Sequence, residues 1–148
     1  EKYEWFLRGL QERFGRQVSV NLCFSADLAN LVYAASDLYL MPSKSEPCGL
    51  SQLMAMRFGA VPVVNATGGL KDTVPAYEGP ESEGRGFTFQ SYNADDFLAA
   101  IDRALALYYD APAQWQELVR HDMSQDFGWD KGAERYMALY HKALGDKA

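Results

Sequence analysis

A chain of 148 residues, 48% hydrophobic and 14% aromatic, is long and apolar enough to bury a core, which excludes intrinsic disorder and sets the expectation of one globular domain over residues 1–148. A formal net charge of -6 with no cluster of Lys and Arg excludes a nucleic-acid or anionic-membrane partner, since both need concentrated positive charge. No apolar run approaches the ~20 residues of a membrane span and no charged-then-apolar leader opens the chain, so a soluble, intracellular protein is expected.

In chain order, Tyr3 to Phe14 carries Trp5-Phe6 and Leu10 among charges and reads as an amphipathic helix ended by Gly15. Val18-Ser19-Val20-Asn21-Leu22-Cys23-Phe24 alternates as a strand does, Ala26 to Ala35 reads as a short helix, and Asp37 to Met41 reads as the next strand. A helix follows Cys48, with Leu50, Leu53, Met54 and Phe58 at helical spacing before Gly59. Next come the strand Val61-Pro62-Val63-Val64 and a turn at Thr67-Gly68-Gly69 that leads into a short helix from Leu70.

Glu78 to Gly86 is polar and glycine-rich, hence a loop, and Gly86-Phe87-Thr88-Phe89 reads as a last strand. Three helices are expected beyond it, one capped by Asn93 or Asp95 and running to about Tyr109, one over Ala113–Gln125 after Pro112, and one over Asp130–Leu144. Trp115, Phe127, Trp129, Tyr136 and Tyr140 are expected to be packing residues. Strands separated by helices of this length imply parallel pairing through right-handed crossovers, an α/β class with a Rossmann-like sheet and flanking helices. With so few strands, and with neither Gly-x-Gly-x-x-Gly nor a P-loop lysine motif, the chain is expected to be part of a larger doubly wound domain whose first units precede Glu1.

Cys23 and Cys48 have no Cys-x-x-Cys spacing, which points to reduced thiols, with Cys23 a small buried hydrophobe in a strand and Cys48 a small residue in a turn. His121 and His141 lack ligand-spaced partners, so no metal site is expected.

The stretch that carries chemistry is Ser45-Glu46-Pro47-Cys48-Gly49-Leu50-Ser51-Gln52-Leu53. It puts one carboxylate at the carboxyl end of a strand, ahead of a helix start whose free amides and partial positive charge suit phosphate. The carboxylate is left to read sugar hydroxyls. Taken alone, Glu46 before Pro47 could equally orient a turn, and Gly68-Gly69 could be purely conformational.

Pro42-Ser43-Lys44-Ser45-Glu46-Pro47-Cys48-Gly49-Leu50-Ser51-Gln52-Leu53, then Met56-Arg57-Phe58-Gly59 and Thr67-Gly68-Gly69-Leu70-Lys71-Asp72-Thr73-Val74, resembles the bacterial glycogen synthase and plant starch synthase family. The resemblance extends to Gly86-Phe87-Thr88-Phe89 and to Asp126-Phe127-Gly128-Trp129, where Gly128 stands at a usual serine. It implies a retaining glucosyltransferase of the GT-B arrangement, which moves glucose from ADP-glucose to the 4-hydroxyl at the end of an α-1,4-glucan. This chain would be most of the C-terminal, donor-binding domain, inactive alone, with the glucan held by an N-terminal domain outside it.

By the same resemblance, Glu46 is the carboxylate beside the donor glucose, and Cys48, Gly49 and Leu50 offer amides to its hydroxyls. Ser51 binds phosphate, Phe24 stacks on the adenine, and Thr67, Gly68 and Gly69 form a cleft loop. No cofactor is implied, ADP-glucose being a substrate, and the setting is a bacterial cytoplasm with a plastid as the alternative. Met54, where sucrose- and lipid-glycosylating relatives often carry a second glutamate, favours the glycogen and starch branch; UDP-glucose stays open as donor. On the residues alone, two other classes also stay open: a nucleotide-sugar-binding module without catalysis, and an interaction domain that uses Trp115, Trp129 or Tyr140.

Overall fold

A computed structural model describes residues 2–145. Two compact units make it up, one ending at Leu31 and one beginning at Val32.

The first unit opens on α1 (Lys2–Phe14), closed by amides of Gln17 and Val18 that donate to Phe14 O at 2.7 and 2.8 Å. The expected strand Val18–Phe24 does not form, and Cys23, expected to be buried within it, is exposed. Alternation alone makes no strand; a ladder partner must take the backbone N–H and C=O groups, and among the described residues none pairs with this segment. Instead the Val20 amide donates to Gln11 Oε1 at 2.6 Å, which ties the segment back to α1. Helix α2 (Ala26–Ala35) then starts behind Ser25, whose Oγ accepts from the Leu28 amide at 3.2 Å.

The second unit is a three-stranded parallel sheet in the order β1 (Leu38–Met41), β2 (Val61–Asn65), β3 (Phe87–Phe89), the α/β class expected. All five residues of central β2 are buried. One face packs Val61, Val63, Phe87 and Phe89 against Ala100 and Ala104 of α5 (Ala94–Asp110) and Trp115 and Leu118 of α6 (Pro112–Ser124). The other sets Val64 against Met56 of α3 (Ser51–Phe58) and Leu70 of α4 (Gly68–Thr73). Alternate β2 residues thus serve opposite layers, as the pleat requires.

Pro62 sits in this central strand although it lacks an N–H. In a parallel strand a residue's N–H and C=O point to the same neighbour, and a Cβ on Gly86 would meet Pro62 O and Cγ. The missing donor therefore faces Gly86, one residue before the β3 ladder starts at Phe87, so no ladder bond is lost.

Local signals place the helices well. Asn93 caps α5 by accepting from the Asp96 amide at 2.8 Å, and Pro112 opens α6 at its first position, where no N–H is needed. The last helix, α7 (Trp129–Leu144), has no buried residue. Of the tail aromatics expected to pack, only Trp115 enters the core, at 3% exposure; Phe127, Trp129, Tyr136 and Tyr140 are exposed, Trp129 by 81%. The helical period was legible there, but a face at the right spacing buries itself only where another element covers it.

Asp122 of α6 is buried, and neither carboxylate oxygen has a hydrogen-bond partner among the described residues. Burial raises its carboxyl from 3.8 to about 8, against a smaller opposing pull from Arg85. The folded state therefore holds a proton that the unfolded state releases near pH 4. This contribution to stability is full below that pH and is lost as pH rises through about 8, by at most about 1.4 kcal/mol per unit. Asp122→Asn is expected to raise the thermal midpoint modestly at pH 5 and by several degrees more at pH 8, the difference corresponding to roughly a few kcal/mol. Equal shifts at the two pH values in paired melts would show that Asp122 is charged in the fold.

Candidate functional site

Because the three strands run parallel, the segments after Met41 and Asn65 emerge at the same, carboxyl edge of the sheet. Two side-chain and backbone ties hold them together. The buried Asn65 donates through Nδ2 to Ser43 O at 2.8 Å, which fixes the start of the loop that carries Glu46. The Gly69 amide donates to Glu46 O at 3.2 Å, which fixes its middle.

The two glycines expected to shape a cleft wall lie in near contact with that loop. Gly68 has φ +48°, a left-handed conformation, and a Cβ there would run into Glu46 O. A Cβ on Gly69 would lie 2.6 Å from Cys48 Cα. The glycines stand within the first turn of α4 instead of before it, with Thr67 extended at the N-cap. The motifs at 45–51 and 67–69 thus form one structure, a loop pressed against a helix start that only glycines allow.

On this loop Glu46 is half-buried, and its carboxylate makes no hydrogen bond or ion pair with any described residue. Cys48 and Leu50 are exposed, and Gly49 has φ +75°. Leu50 is the N-cap of α3, where no side chain caps the helix; the first helical bond, Met54 amide to Leu50 O at 3.0 Å, leaves the amides of Ser51, Gln52 and Leu53 ahead of it. An unpaired carboxylate and uncapped amides on one rigid loop can bind a neutral polyol and an anion side by side.

Ser51, expected at the phosphate, presents its amide at this helix start, but its hydroxyl lies 3.4 Å from Met41 Sδ. Tyr33 is close by: burial raises its phenol above its ordinary value, Tyr39 adds to the rise, and Ser51 opposes it. The Tyr33 ring stacks on Phe58 with centroids 6.2 Å apart. Phe24 belongs to the first unit, and its side chain is 99% exposed. No group of three or more His, Cys, Asp and Glu residues that could hold a metal occurs among the described residues, and none of their helices is long and apolar enough to cross a membrane.

Of the apolar α3 residues at helical spacing, Leu53 packs against the core. Leu50, Met54 and Phe58 lie outside and line a groove of about 630 Å³ closed by Ser124–Gly128, while Gln52, Ala55 and Met56 face the core. Gln52 is the residue missed. The i, i+3, i+4 relation to Ala55 and Met56 was present in the sequence, but a polar residue within it reads as solvent-facing until its partners are known. Those partners are Cys48 O at 3.2 Å, Gly49 O at 3.0 Å and Thr73 Oγ1 at 3.1 Å, all from Nε2.

The family model for glycosyl transferases group 1 matches residues 11–122. The chain belongs to that family. Within it, the chain is 46% identical over 144 residues to the glycogen synthase of Kosmotoga olearia, an alignment that covers 97% of this chain and 30% of that protein. Among solved structures it resembles the catalytic domain of Starch Synthase IV from Arabidopsis thaliana bound to ADP and acarbose, with TM-score 0.83 and 36% identity over 95% of this chain and 29% of that one. It also resembles the sucrose-phosphate synthase from Thermosynechococcus elongatus, less closely, with TM-score 0.66 and 26% identity over 95% of this chain and 34% of that one. This group 1 glycosyl transferase chain therefore spans about three tenths of the length of the curated relatives it matches.

Proposed function

We propose that this chain is the donor-binding part of a glycogen or starch synthase. The full-length protein would be a retaining glucosyltransferase that moves glucose from ADP-glucose to the 4-hydroxyl at the non-reducing end of an α-1,4-glucan. The observation that carries the reading is the clamped Glu46–Leu50 loop, with an unpaired carboxylate beside a helix start that no side chain caps. The greater likeness to the starch synthase than to the sucrose-phosphate synthase, in both TM-score and identity, and the 46% identity to a glycogen synthase support the glucan branch.

In the proposed reaction the bond from glucose C1 to the diphosphate breaks and a bond from C1 to the acceptor oxygen forms on the same face, the acceptor proton leaving with the diphosphate. Negative charge grows on the diphosphate and positive charge on the sugar. Oriented amides of Ser51 and its neighbours stabilise the first without reorganising, and Glu46 stabilises the second while it accepts hydrogen bonds from the glucose hydroxyls. Cys48, Gly49 and Leu50 offer amides to those hydroxyls, and Phe24 offers a flat, exposed face to the adenine. No cofactor enters this scheme, since ADP-glucose is a substrate. The glucan would be bound by the part of the protein outside this chain. The bacterial source of the glycogen synthases supports a cytoplasmic setting.

The test is transfer by the full-length protein to maltooligosaccharides, with ADP-glucose and UDP-glucose supplied separately. Chain extension through new α-1,4 linkages, faster with ADP-glucose, is expected. Faster extension with UDP-glucose would reassign the donor. Donor binding without transfer would reduce the chain to a nucleotide-sugar-binding module, and absence of both would overturn the reading.

A further inference from the structure

The donor loop is held from behind by a continuous hydrogen-bond relay. Thr73 Oγ1 lies 2.8 Å from Gly69 O, to which it can only donate, so it accepts from Gln52 Nε2. The same amide nitrogen faces the carbonyls of Cys48 and Gly49. These carbonyls require a donor, which fixes the amide orientation. With the Gly69 amide on Glu46 O, the relay closes: Glu46 to Gly69, Gly69 to Thr73, Thr73 to Gln52, and Gln52 back to Cys48 and Gly49.

The packing shows that the arrangement is specific. A Cβ on Gly49 would meet Gln52 Oε1 at 2.5 Å, so the Gln52 side chain folds back over a position only glycine leaves open. Gln52 is 0% exposed, yet Oε1 has no partner among the described residues. An apolar residue of the same size would avoid that orphaned acceptor, so packing alone does not account for a glutamine here.

We propose that Gln52 and Thr73 are positioning residues that set the carbonyls of Cys48 and Gly49, and with them the amides and carboxylate turned toward the donor sugar. The inference rests on the donor-site reading above. Neither residue reaches the reacting atoms; both act through the loop, and an error of a fraction of an ångström in that loop lowers turnover more than donor affinity.

The test compares Gln52→Glu, Gln52→Met, Thr73→Val and Thr73→Ser in the full-length protein. Glutamate keeps the shape but, when ionised, sets an oxygen against two carbonyls; when protonated it regains one donor. Relative to wild type, kcat of Gln52→Glu is expected to fall about 10- to 30-fold at pH 8.5 and to recover toward pH 6, with the donor KM changed less than about threefold. Thr73→Ser should stay within about twofold of wild type, and Thr73→Val should lose about tenfold in kcat.

A Gln52→Glu ratio near unity at every pH would overturn the proposal. So would a low, pH-independent ratio matched by Gln52→Met, which would mark a packing role. If the glutamate variant does not fold, the Thr73 pair decides: equal kcat for the valine and serine variants overturns the proposal. Hydrogen-exchange mass spectrometry of residues 46–52 and of Gly69 reads the relay without any transfer assay, and faster exchange there in Thr73→Val is expected. If the wild type transfers no glucose, the donor reading fails alone, and unchanged exchange in Thr73→Val would then sink the relay as well.

Discussion

Glu46→Ala is expected to lower kcat for glucosyl transfer by about 10³, while the donor KM changes less than about tenfold. The carboxylate is half-buried and has no partner among the described residues, so its charge is not spent on the fold. Charge separation is small in the bound donor and large as the bond to the diphosphate breaks, so an anion beside the sugar stabilises the transition state more than the ground state. Removal of one such preorganised group costs about 3–4 kcal/mol, which is the loss in kcat named.

Glu46→Gln separates the two roles, because it keeps hydrogen-bond capacity and drops the charge. A kcat close to that of alanine assigns the effect to charge, and a kcat close to wild type assigns it to positioning of the hydroxyls. Melts that match wild type for both variants are expected from an unpaired, half-exposed side chain. An alanine variant that retains more than a tenth of wild-type kcat would remove Glu46 from the chemistry.

What the sequence made legible here is what local rules decide. The buried run of β2, Asn93 as a cap, Pro112 at a helix start and the Glu46 turn each follow from backbone chemistry within a few residues. Val18–Phe24 failed because strand formation is a property of pairs, and its alternation said nothing of a neighbour. The spacing along α3 was legible but the face it buries was not, for a related reason. Leu50, Met54 and Phe58 formed as good a stripe as Gln52, Ala55 and Met56, and the sheet and α6 settled which one was covered.

The same limit applies to the relay. Gln52 stood in full view within the motif, but its role depends on Thr73, 21 residues away, and on an approach that only the folded chain creates. By contrast, Gly68-Gly69 could be assigned to the cleft by resemblance, and the physical reason for both glycines, absence of room beside Glu46 and Cys48, came only with the coordinates.

The absence of room makes Gly68 the position where the smallest change should have the largest indirect effect. Gly68→Ala adds a single methyl group, which must either push the Glu46 carbonyl away or tilt the start of α4. Both break the hydrogen bond that the Gly69 N–H donates to Glu46 O and move the carboxylate. The left-handed φ of +48° adds its own cost of about 1–2 kcal/mol for any residue with a Cβ. The expected result is a kcat lower by about 10²-fold together with a fall of several degrees in thermal midpoint.

Gly79 supplies the comparison that separates strain from collision. Its φ is +130°, also disfavoured for other residues, but a Cβ there would have nothing within 4 Å. Gly79→Ala should therefore lose stability and keep kcat within about twofold of wild type. If the two alanine variants lose kcat equally, pressure of the glycine helix start on the Glu46 loop is not what holds the carboxylate, and the effect is general loss of stability. If Gly68→Ala alone loses turnover, the two motifs work as one unit. Glu46 then depends for its position on the helix start pressed against its loop.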